Sequence, residues 1–478
     1  MKIVHLPVDA RPCNVLFPGQ LAQWCGHECV IPSPDAMDHI TVPAPFECSR
    51  DFLLNNAPAA DALVVSVDHL CYGSLLESRN DNVPQKEALD RLQVLETLHA
   101  LYPDKPIYAY NVVMRSSISA LYASELTAYR AMTDYSMYSD RFAQTGDPAD
   151  EARVKAARVL IPDAVMNRYQ AARARNHAVN RRCVELAAQG VLQSLLLLQE
   201  DAELWGFHRA EQRALQAQIA QCGADNVWLH NGTDEAGALT VMKALSQQKE
   251  ISAAVVYAGW PDGDFVARYE DRPFFENVND SLAYAGVRVD ADAKTVLAVC
   301  CPPDGQQTDW EKPECIEGYR AEAAEIARLV RSGRQVYLLD QIRGNGGSPM
   351  LMRAVYEQLD GLPLAGYSGW NTADSALGTA IAQIISDQMA GRINRSFLWE
   401  RLLDDLAYQG AAREKLNNTL EGLGDDLLHL KDPERAQTLL QQFMQEWLNQ
   451  EPMFADAPAY SISLPWNRTF EAQVQITE

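Results

Sequence analysis

The feature that most constrains the fold is a short apolar segment that recurs ten times and precedes a polar loop and a helical pattern. These segments are rich in Val, Ile, Leu and Tyr and do not alternate between apolar and polar residues. Such runs are typical of strands buried on both faces of a parallel sheet, because helices cover both faces. The predicted strands span residues 2–8, 28–32, 62–67, 106–113, 194–199, 226–231, 252–257, 295–300, 335–339 and 363–368.

Strands that alternate with helices predict an α/β protein. Two arrangements fit this pattern: two doubly wound, mostly parallel sheets that form Rossmann-like lobes, or a (β/α)8-type barrel with additions. We favour the two lobes, because a pair of sheets suits ten strands and a length of 478 residues.

The segment between the fourth and fifth strands has no strand pattern. Residues 116–190 are rich in Ala, Arg and Glu, which predicts a helical insertion. Five of its arginines are interpreted as part of a solvated helix face; they are Arg168, Arg173, Arg175, Arg181 and Arg182. The predicted domains are an N-terminal lobe of residues 1–115 and 191–222, the insertion 116–190, a second lobe 223–382, and a helical C-terminal region with a closing strand, 383–478.

The overall charge bears on the class of partner. With 41 Lys and Arg residues against 64 Asp and Glu residues, the net charge is −23. Nucleic acids and anionic membranes require a basic surface, so we expect a small-molecule substrate instead, and a homo-oligomer is left open. We expect no secretory signal and no membrane span. The ten cysteines are scattered without paired CxxC motifs, which disfavours structural zinc and indicates reduced thiols in the cytoplasm.

Polar and charged residues follow the predicted strands where each strand ends. Because the carboxyl ends of parallel strands meet at one edge of a sheet, we expect these side chains to line a ligand site. The candidate catalytic carboxylates are Asp9, Glu200, Asp201, Asp234, Glu235 and Asp340. The candidate substrate-binding residues are Arg11, Asn14, Asp68, His69, Tyr72, Arg79, Asn111, Arg115, Asn345, Trp370, Asn371 and Thr372. The loop after the seventh strand adds Trp260 and Asp262.

Carboxylates flanked by aromatic and amide side chains suit a hydroxyl-rich ligand, and two carboxylates are the minimum apparatus for glycoside hydrolysis. Asp201 and Glu235 are the first choice for that pair, and the arginines are expected to bind a charged substituent or hold the carboxylates. A structural interpretation competes at each position, since Asp234 and Thr372 also fit helix N-caps. The sequence therefore predicts a hydrolase, in the first instance a glycosidase, without choosing the pair.

Two other functions stay open. Asp68, His69 and His208 are ligands of the kind that a divalent metal uses in an amide or ester hydrolase, but no metal-binding spacing supports them, and no cofactor is expected. The third possibility is a protein that binds a sugar or metabolite without turnover. The sequence has no P-loop and no GxSxG motif. RGNGGSP (343–349) follows a strand and fits a phosphate at a helix N-terminus.

Several loops together resemble a bacterial family that is catalogued as domain of unknown function number four-one-two-seven. The resemblance rests on LPVDARPCN (6–14), SVDHLCYGSLLESR (66–79), NVVMR (111–115), QEDAELWGFHRAE (199–211), GTDEAG (232–237), DQIRGNGGSP (340–349), YSGWNTADSALGTAIA (367–382) and LPWNRTFE (464–471), and it covers essentially the whole chain. The family pattern has Leu where this chain has Val8, and often two glycines where it has Gly73 and Ser74. A further departure at Ala373 to Ser375 makes Asp374 a weaker site candidate than Asn371. The resemblance implies a recurring set of polar loop residues and no particular reaction.

Overall fold

The computed structural model describes residues 1–259 and 263–477. The chain forms two compact units, each with its own parallel sheet. Unit 1 consists of Met1–Leu245 with Tyr269–Asp271, and unit 2 consists of Ser246–Arg268 with Arg272–Glu478. Among the described residues, no helix is both long and apolar enough to cross a bilayer.

The sheet of unit 1 has six parallel strands in the order β2-β1-β3-β4-β5-β6. The strands are β1 (Lys2–Leu6), β2 (Glu28–Val30), β3 (Ala62–Ser66), β4 (Ile107–Val113), β5 (Ser194–Gln199) and β6 (Val227–Asn231). Every residue of β3, β4 and β5 is buried, as the absence of alternation predicts. Because β2 and β3 flank β1 on opposite sides, the strand order reverses between β1 and β3, and doubly wound sheets bind ligands at the carboxyl edge of such a point.

Unit 1 also contains helices, several of which pack against this sheet. They are α1 (Pro12–Val15), α2 (Phe17–Trp24), α3 (Phe46–Asn56), α4 (Val67–Tyr72), α5 (Gln85–Arg91), α6 (Gln93–Leu101), α7 (Leu126–Thr145), α8 (Pro148–Val159), α9 (Asp163–Ala188), α10 (Phe207–Cys222) and α11 (Ala236–Leu245). Helices α7 to α9 confirm the predicted helical insertion. After β6, α11 packs back against β1, β3, β4 and α2, which returns the β6 loop toward the loop after β1.

Unit 2 has a five-stranded parallel sheet in the order β11-β10-β9-β7-β8 and a separate antiparallel pair, β12-β13. The strands are β7 (Ile251–Ala258), β8 (Val287–Val289), β9 (Thr295–Cys300), β10 (Gln335–Asp340), β11 (Gly366–Ser368), β12 (Tyr460–Ser463) and β13 (Gln473–Ile476). The helices are α12 (Phe274–Ala285), α13 (Ile316–Arg331), α14 (Pro349–Leu359), α15 (Ala373–Ala390), α16 (Arg395–Arg401), a π-helix (Leu402–Ala412), α17 (Arg413–Gly422) and α18 (Pro433–Leu448).

The two open sheets confirm the α/β fold with two doubly wound lobes, and the barrel alternative is wrong. The domain boundaries differ from the predicted ones. Strand β6 and helix α11 complete the first sheet, so unit 1 runs through Leu245 rather than ending at residue 222. The C-terminal helices pack into the core of unit 2 and do not form a region of their own. The sequence misses the three-residue strand β8, which is too short for an apolar run.

Candidate functional site

The loop after β1 is organised around a buried ion pair. The carboxylate of Asp9 accepts hydrogen bonds from the backbone N–H of Arg11 (3.0 Å), from Arg11 Nε (2.9 Å) and from Asn14 Nδ2 (2.7 Å). The other end of the Arg11 guanidinium donates to both carboxylate oxygens of Asp234. Burial disfavours the Asp9 anion, but Arg11 outweighs burial and lowers the pKa of Asp9 below its usual value. Arg11 therefore joins the β1 and β6 loops across 223 residues of sequence.

Two further ion pairs, Arg79 with Glu200 and Arg115 with Asp201, lie near the ends of β4 and β5. Arg79 donates to Glu200 Oε1 and to Ser119 Oγ (2.8 Å). Arg115 pairs with Asp201, and its Nη1 is 3.9 Å from Glu200 Oε1. The Asp201 side chain is 26% exposed and that of Arg115 is 14% exposed, whereas Arg79 and Glu200 are buried. Of the two carboxylates, Asp201 is thus the one that a ligand can reach more directly.

Several buried polar atoms of these two ion pairs have no hydrogen-bond partner among the described residues. They are Arg79 Nε, Arg115 Nε and Glu200 Oε2, together with Asn111 Oδ1 on β4. Buried polar groups are nearly always hydrogen-bonded in folded proteins, so a cluster of exceptions marks a place where something else supplies the partners. The carboxyl edge above β3, β4 and β5 therefore has the character of a polar binding site.

Helix α4 places Asp68 and His69 beneath this edge. Strand β3 ends at Ser66, whose hydroxyl caps α4 by accepting the His69 backbone N–H at 3.2 Å. Asp68 Oδ2 accepts the Val112 backbone N–H at 2.9 Å, which continues the β3–β4 ladder by one bond. Burial, with a contribution from Glu200, raises the pKa of Asp68 to about 7. Asp68 is consequently a carboxyl group that holds its proton near neutral pH.

The histidines of this region are neutral. Burial lowers the pKa of His69 to about 4 and that of His5 to about 3. His5 Nε2 lies 3.1 Å from the Tyr110 hydroxyl. Within the described part of the chain, no group of three or more His, Cys, Asp or Glu side chains could hold a metal ion. His208 contacts Ser116 Oγ (3.1 Å), the Glu203 carbonyl (2.9 Å) and Asp271 (3.5 Å) instead.

His208, Ser116 and Asp271 have the composition of a catalytic triad but not its accessibility. All three side chains are buried, and the Ser116 backbone N–H donates to the Asp201 carbonyl rather than to an oxyanion site. Asp271 also accepts from Gln212 Nε2 at 2.7 Å and pairs with Arg209 at 2.9 Å. This network fixes residues 269–271 against α10.

Three further predicted residues of unit 1 serve mainly in packing or in their own loop. Glu235 Oε2 accepts the backbone N–H of Thr233 at 2.9 Å, so the carboxylate turns back on its own loop. The Tyr72 ring lies 4.1 Å from the Arg175 guanidinium, and Asn111 donates to Asn180 Oδ1 at 2.5 Å. Asp201 and Glu235, the predicted catalytic pair, follow adjacent strands but are held by different groups.

Sequence reasoning missed three residues that shape this edge. Asp38, in the loop after β2, accepts the Ala10 backbone N–H at 2.8 Å, and burial with nearby Asp9 raises its pKa to about 8. The rule that selected strand-end carboxylates would have found Asp38 had it been applied to β2. Arg173 and Arg175 of α9 are buried, so the interpretation of a solvated face is wrong for them. Arg173 donates to the Met114 carbonyl (3.1 Å) and the Arg115 carbonyl (2.9 Å), and so the insertion supports the β4 loop.

The predicted residues of unit 2 form a separate group around the loop after β10. Asp340 accepts the backbone N–H groups of Ile342 (3.2 Å) and Ser348 (2.7 Å) and the Tyr367 hydroxyl (2.9 Å). Burial raises the pKa of Asp340 to about 6. Because both of its oxygens are engaged in holding this loop, Asp340 is a structural carboxylate. Its predicted place in one pocket with Asp9, Asp201 and Glu235 stays a prediction.

The remaining unit 2 candidates have mixed roles. Thr372 is the N-cap of α15 and accepts the Ser375 backbone N–H, as the structural interpretation of this residue predicts. Asn345 and Asn371 both have positive φ, and the Asn345 N–H donates to the Asn371 carbonyl at 3.1 Å. Trp370 lies 5.9 Å from the Phe470 ring. Trp260 and Asp262 lie outside the described residues.

The N-terminus of α14, where RGNGGSP predicts a phosphate, is already occupied by a side chain. Glu311 Oε1 accepts the Met350 backbone N–H at 2.6 Å and the Ser348 hydroxyl at 2.7 Å. A carboxylate at this position satisfies the first helical turn and its positive dipole. The structure therefore contradicts a phosphate site at this helix end.

Comparison with known proteins identifies a family for this chain but no reaction. The model of a family described as a protein of unknown function, DUF4127, matches residues 3–475. No curated protein matches the chain. Since the match spans nearly the whole sequence and the resemblance of the strand-end loops agrees with it, the chain belongs to the DUF4127 family.

Proposed function

We propose that the carboxyl edge of the unit 1 sheet is the active site of a hydrolase that acts on a small, hydroxyl-rich substrate, in the first instance a glycoside. The observation that carries this proposal is the contrast between Asp68 and Asp201. Asp68 is buried with a pKa of about 7, whereas Asp201 is partly exposed and ion-paired with Arg115. Carboxyl groups in such different environments are the arrangement that divides acid and base roles in glycosidases.

The proposed roles follow from the positions of three carboxyl groups. Asp201 meets the substrate and acts as the base or the nucleophile at the sugar carbon. Glu200, whose Oε2 has no partner among the described residues, relays a proton from Asp68 to the leaving oxygen. The glycosidic C–O bond breaks and the leaving oxygen takes that proton. A water molecule supplies the new hydroxyl group and gives its other proton to Asp201 in an inverting reaction, or back to Glu200 and Asp68 in a retaining reaction. Asp201 keeps its predicted role, and Glu235, its predicted partner, has no role in this proposal because it is buried and accepts the Thr233 N–H of its own loop.

The arginines hold this arrangement in place. Arg79 and Arg115 both approach Glu200 Oε1, which leaves Oε2 as the oxygen available for proton transfer. The Nε–H groups of both arginines are free to donate to substrate hydroxyls. A guanidinium also binds a carboxylate well, so a sugar acid is compatible with the same donors.

The test is a screen of the full chain against chromogenic glycosides, followed by Asp201→Asn, Glu200→Gln and Asp68→Asn. Loss of an acid or base group should lower kcat by about 100- to 10,000-fold. The matched control is Glu96→Gln, which removes the exposed ion pair between Arg182 and Glu96 (2.9 Å). That control should leave kcat unchanged.

Two results would contradict the proposal. Full activity in both Asp201→Asn and Glu200→Gln would remove these carboxylates from the chemistry. Thermal stabilisation by sugars without turnover of any glycoside by the wild-type protein would favour a binding protein instead. If the protein cleaves other polar substrates instead, and that activity depends on Asp201, the glycosidase assignment is wrong but the hydrolase assignment stands.

The proposal includes a cytoplasmic location and a small-molecule substrate. All ten cysteines are free thiols, which supports a reducing compartment. The acidic net charge of −23 supports a small polar substrate over nucleic acid or an anionic membrane.

A further inference from the structure

The amino edge of the unit 2 sheet contains a cavity of about 290 Å³. Strands β7, β9 and β10 are neighbours in this sheet, and each contributes a residue at or next to its first position. The C-terminal end of α15 and the turn after it form the opposite wall. The lining residues are Ser252, Lys294, Thr295, Gln335, Asp387, Gln388, Gly391, Arg392 and Ile393.

Hydrogen bonds join α15 to the strands across this cavity. Gln388 Nε2 donates to the Ser252 carbonyl (2.8 Å) and to Thr295 Oγ1 (3.1 Å), and Gln388 Oε1 accepts the Ser252 backbone N–H (3.3 Å). Asp387 Oδ2 accepts the Tyr337 hydroxyl of β10 at 2.9 Å. Because the helix is tied to three neighbouring strands, the cavity is preformed, as ligand sites usually are.

The turn that follows α15 is fixed at both of its ends. Gly391 ends the helix in the left-handed conformation, with a φ of +67°. Asp387 Oδ1 accepts the Asn394 backbone N–H at 2.9 Å on the far side of the turn. Asp387 therefore uses both carboxylate oxygens within the wall, and its negative charge is already compensated by donors.

The polar groups of the lining that remain unused are mainly donors. The Lys294 ammonium, the Gln335 amide and the Ser252 hydroxyl form no side-chain hydrogen bond or ion pair among the described residues. Thr295 Oγ1 accepts from Gln388, which leaves its O–H to donate. Arg392 adds a second positive charge to the lining, whose one carboxylate is that of Asp387. In a chain with a net charge of −23, this cavity is a place where positive charge predominates.

We propose that this cavity binds a small metabolite through a phosphate or carboxylate group. Lys294 supplies the opposite charge, and Gln335 and the hydroxyl groups of Ser252 and Thr295 donate hydrogen bonds to the oxygens of that group. The volume of about 290 Å³ lies at the lower end of the range for ligand pockets, which favours a small molecule. Ile393 offers an apolar wall to its carbon atoms.

This site goes beyond the proposed hydrolase. It lies in unit 2 and uses none of the unit 1 carboxylates. Within unit 2 it lies at the amino end of β10, whereas Asp340 and its loop follow the carboxyl end of that strand. Anion binding here can therefore be measured whether or not the protein cleaves a glycoside.

The test is calorimetric titration of the full chain with inorganic phosphate and with malonate, against chloride at matched ionic strength. The anion that binds more tightly identifies the preferred group. We expect Lys294→Gln to weaken that binding about 10-fold or more, because a charge-assisted hydrogen bond is lost. Lys294→Arg keeps the charge and should weaken binding less. Gln335→Ala removes an amide donor and should weaken it several-fold.

The matched control is Lys431→Gln. Lys431 is an exposed lysine of unit 2, as Lys294 is, but it donates to the Gly424 carbonyl at 2.5 Å and does not line the cavity. Its loss should leave anion affinity unchanged. Equal affinity in wild type and Lys294→Gln, with both folded by circular dichroism, would overturn the proposal. So would equal losses in Lys294→Gln and Lys431→Gln, or wild-type binding of phosphate and malonate no stronger than that of chloride.

Discussion

Both sheets carry buried carboxylates where their strands end, but they satisfy those carboxylates differently. In unit 1, Glu200 and Asp201 are bound by the side chains of Arg79 and Arg115, which keep unused N–H groups. In unit 2, Asp340 accepts two backbone N–H groups and a tyrosine hydroxyl. A carboxylate that is bound by backbone amides holds a loop, whereas one that is bound by a guanidinium leaves donors and acceptors for a ligand. Position at a strand end is therefore not enough to identify a catalytic acid.

The largest expected effect concerns the buried ion pair of Arg79 with Glu200 in unit 1. Arg79→Ala leaves the buried carboxylate of Glu200 without its main partner and should lower the free energy of unfolding by about 3–5 kcal/mol. The exposed counterpart Arg182→Ala, beside Glu96, should cost about 1 kcal/mol or less. Urea denaturation followed by circular dichroism measures both. Equal losses would mean that the Arg79 pair behaves as a surface ion pair.

The next effect tests the structural role of Asp340. Asp340→Ala removes the acceptor for Ser348, Ile342 and Tyr367, and should cost about 3 kcal/mol of stability. Any glycosidase activity in unit 1 should remain, because Asp340 holds a loop of unit 2. Denaturation and the glycoside assay are run on the same sample. A fall in kcat at full stability would restore Asp340 as a catalytic candidate.

A smaller effect concerns pH. The pKa of Asp68 rises from 3.8 in a solvated state to about 7, so the folded protein binds the proton more tightly than the unfolded chain. The carboxyl group therefore destabilises the fold progressively as pH rises from about 4 to 7. Asp68→Asn keeps an oxygen for the Val112 N–H and should make stability less dependent on pH in this window.

Asp150 is the control of opposite sign for that prediction. Its hydrogen bonds to Arg141 lower the pKa of Asp150, so its contribution to stability is present above the solvated pKa and is lost as pH falls. Asp150→Asn should therefore reduce stability at neutral pH and have little effect in acid. A steeper pH dependence in Asp68→Asn than in the wild type would reverse the assignment of the Asp68 proton.

The smallest expected effect concerns Thr372 as the N-cap of α15. Thr372→Ala removes the cap that accepts the Ser375 N–H and should lower stability by about 1 kcal/mol. Urea denaturation followed by circular dichroism measures this loss. An unchanged free energy of unfolding would contradict the structural interpretation and leave Thr372 as a substrate-binding candidate.

Much of this molecule follows from local sequence patterns. Apolar runs such as Leu63 to Val65 specify strands, since residues buried on both faces of a sheet must be apolar in succession. Polar residues after such runs predict the carboxyl edge, because parallel strands end together. Ser66, Thr372 and Asp147 cap helices through contacts within three residues of themselves. These features depend on the near neighbours of each residue, and the sequence contains those neighbours.

The sequence by itself determined the α/β class, most of the strands and the row of acidic strand ends. Only the tertiary structure decided which partner each acid receives: Arg11 for Asp234, 223 residues away, Arg79 for Glu200, 121 residues away, and backbone amides for Asp340. It also buried Arg173 and Arg175, which a helical pattern alone leaves in solvent. The physical reason is that the protonation and availability of a carboxyl group depend on charge and burial within a few ångströms, and those neighbours come from distant parts of the chain.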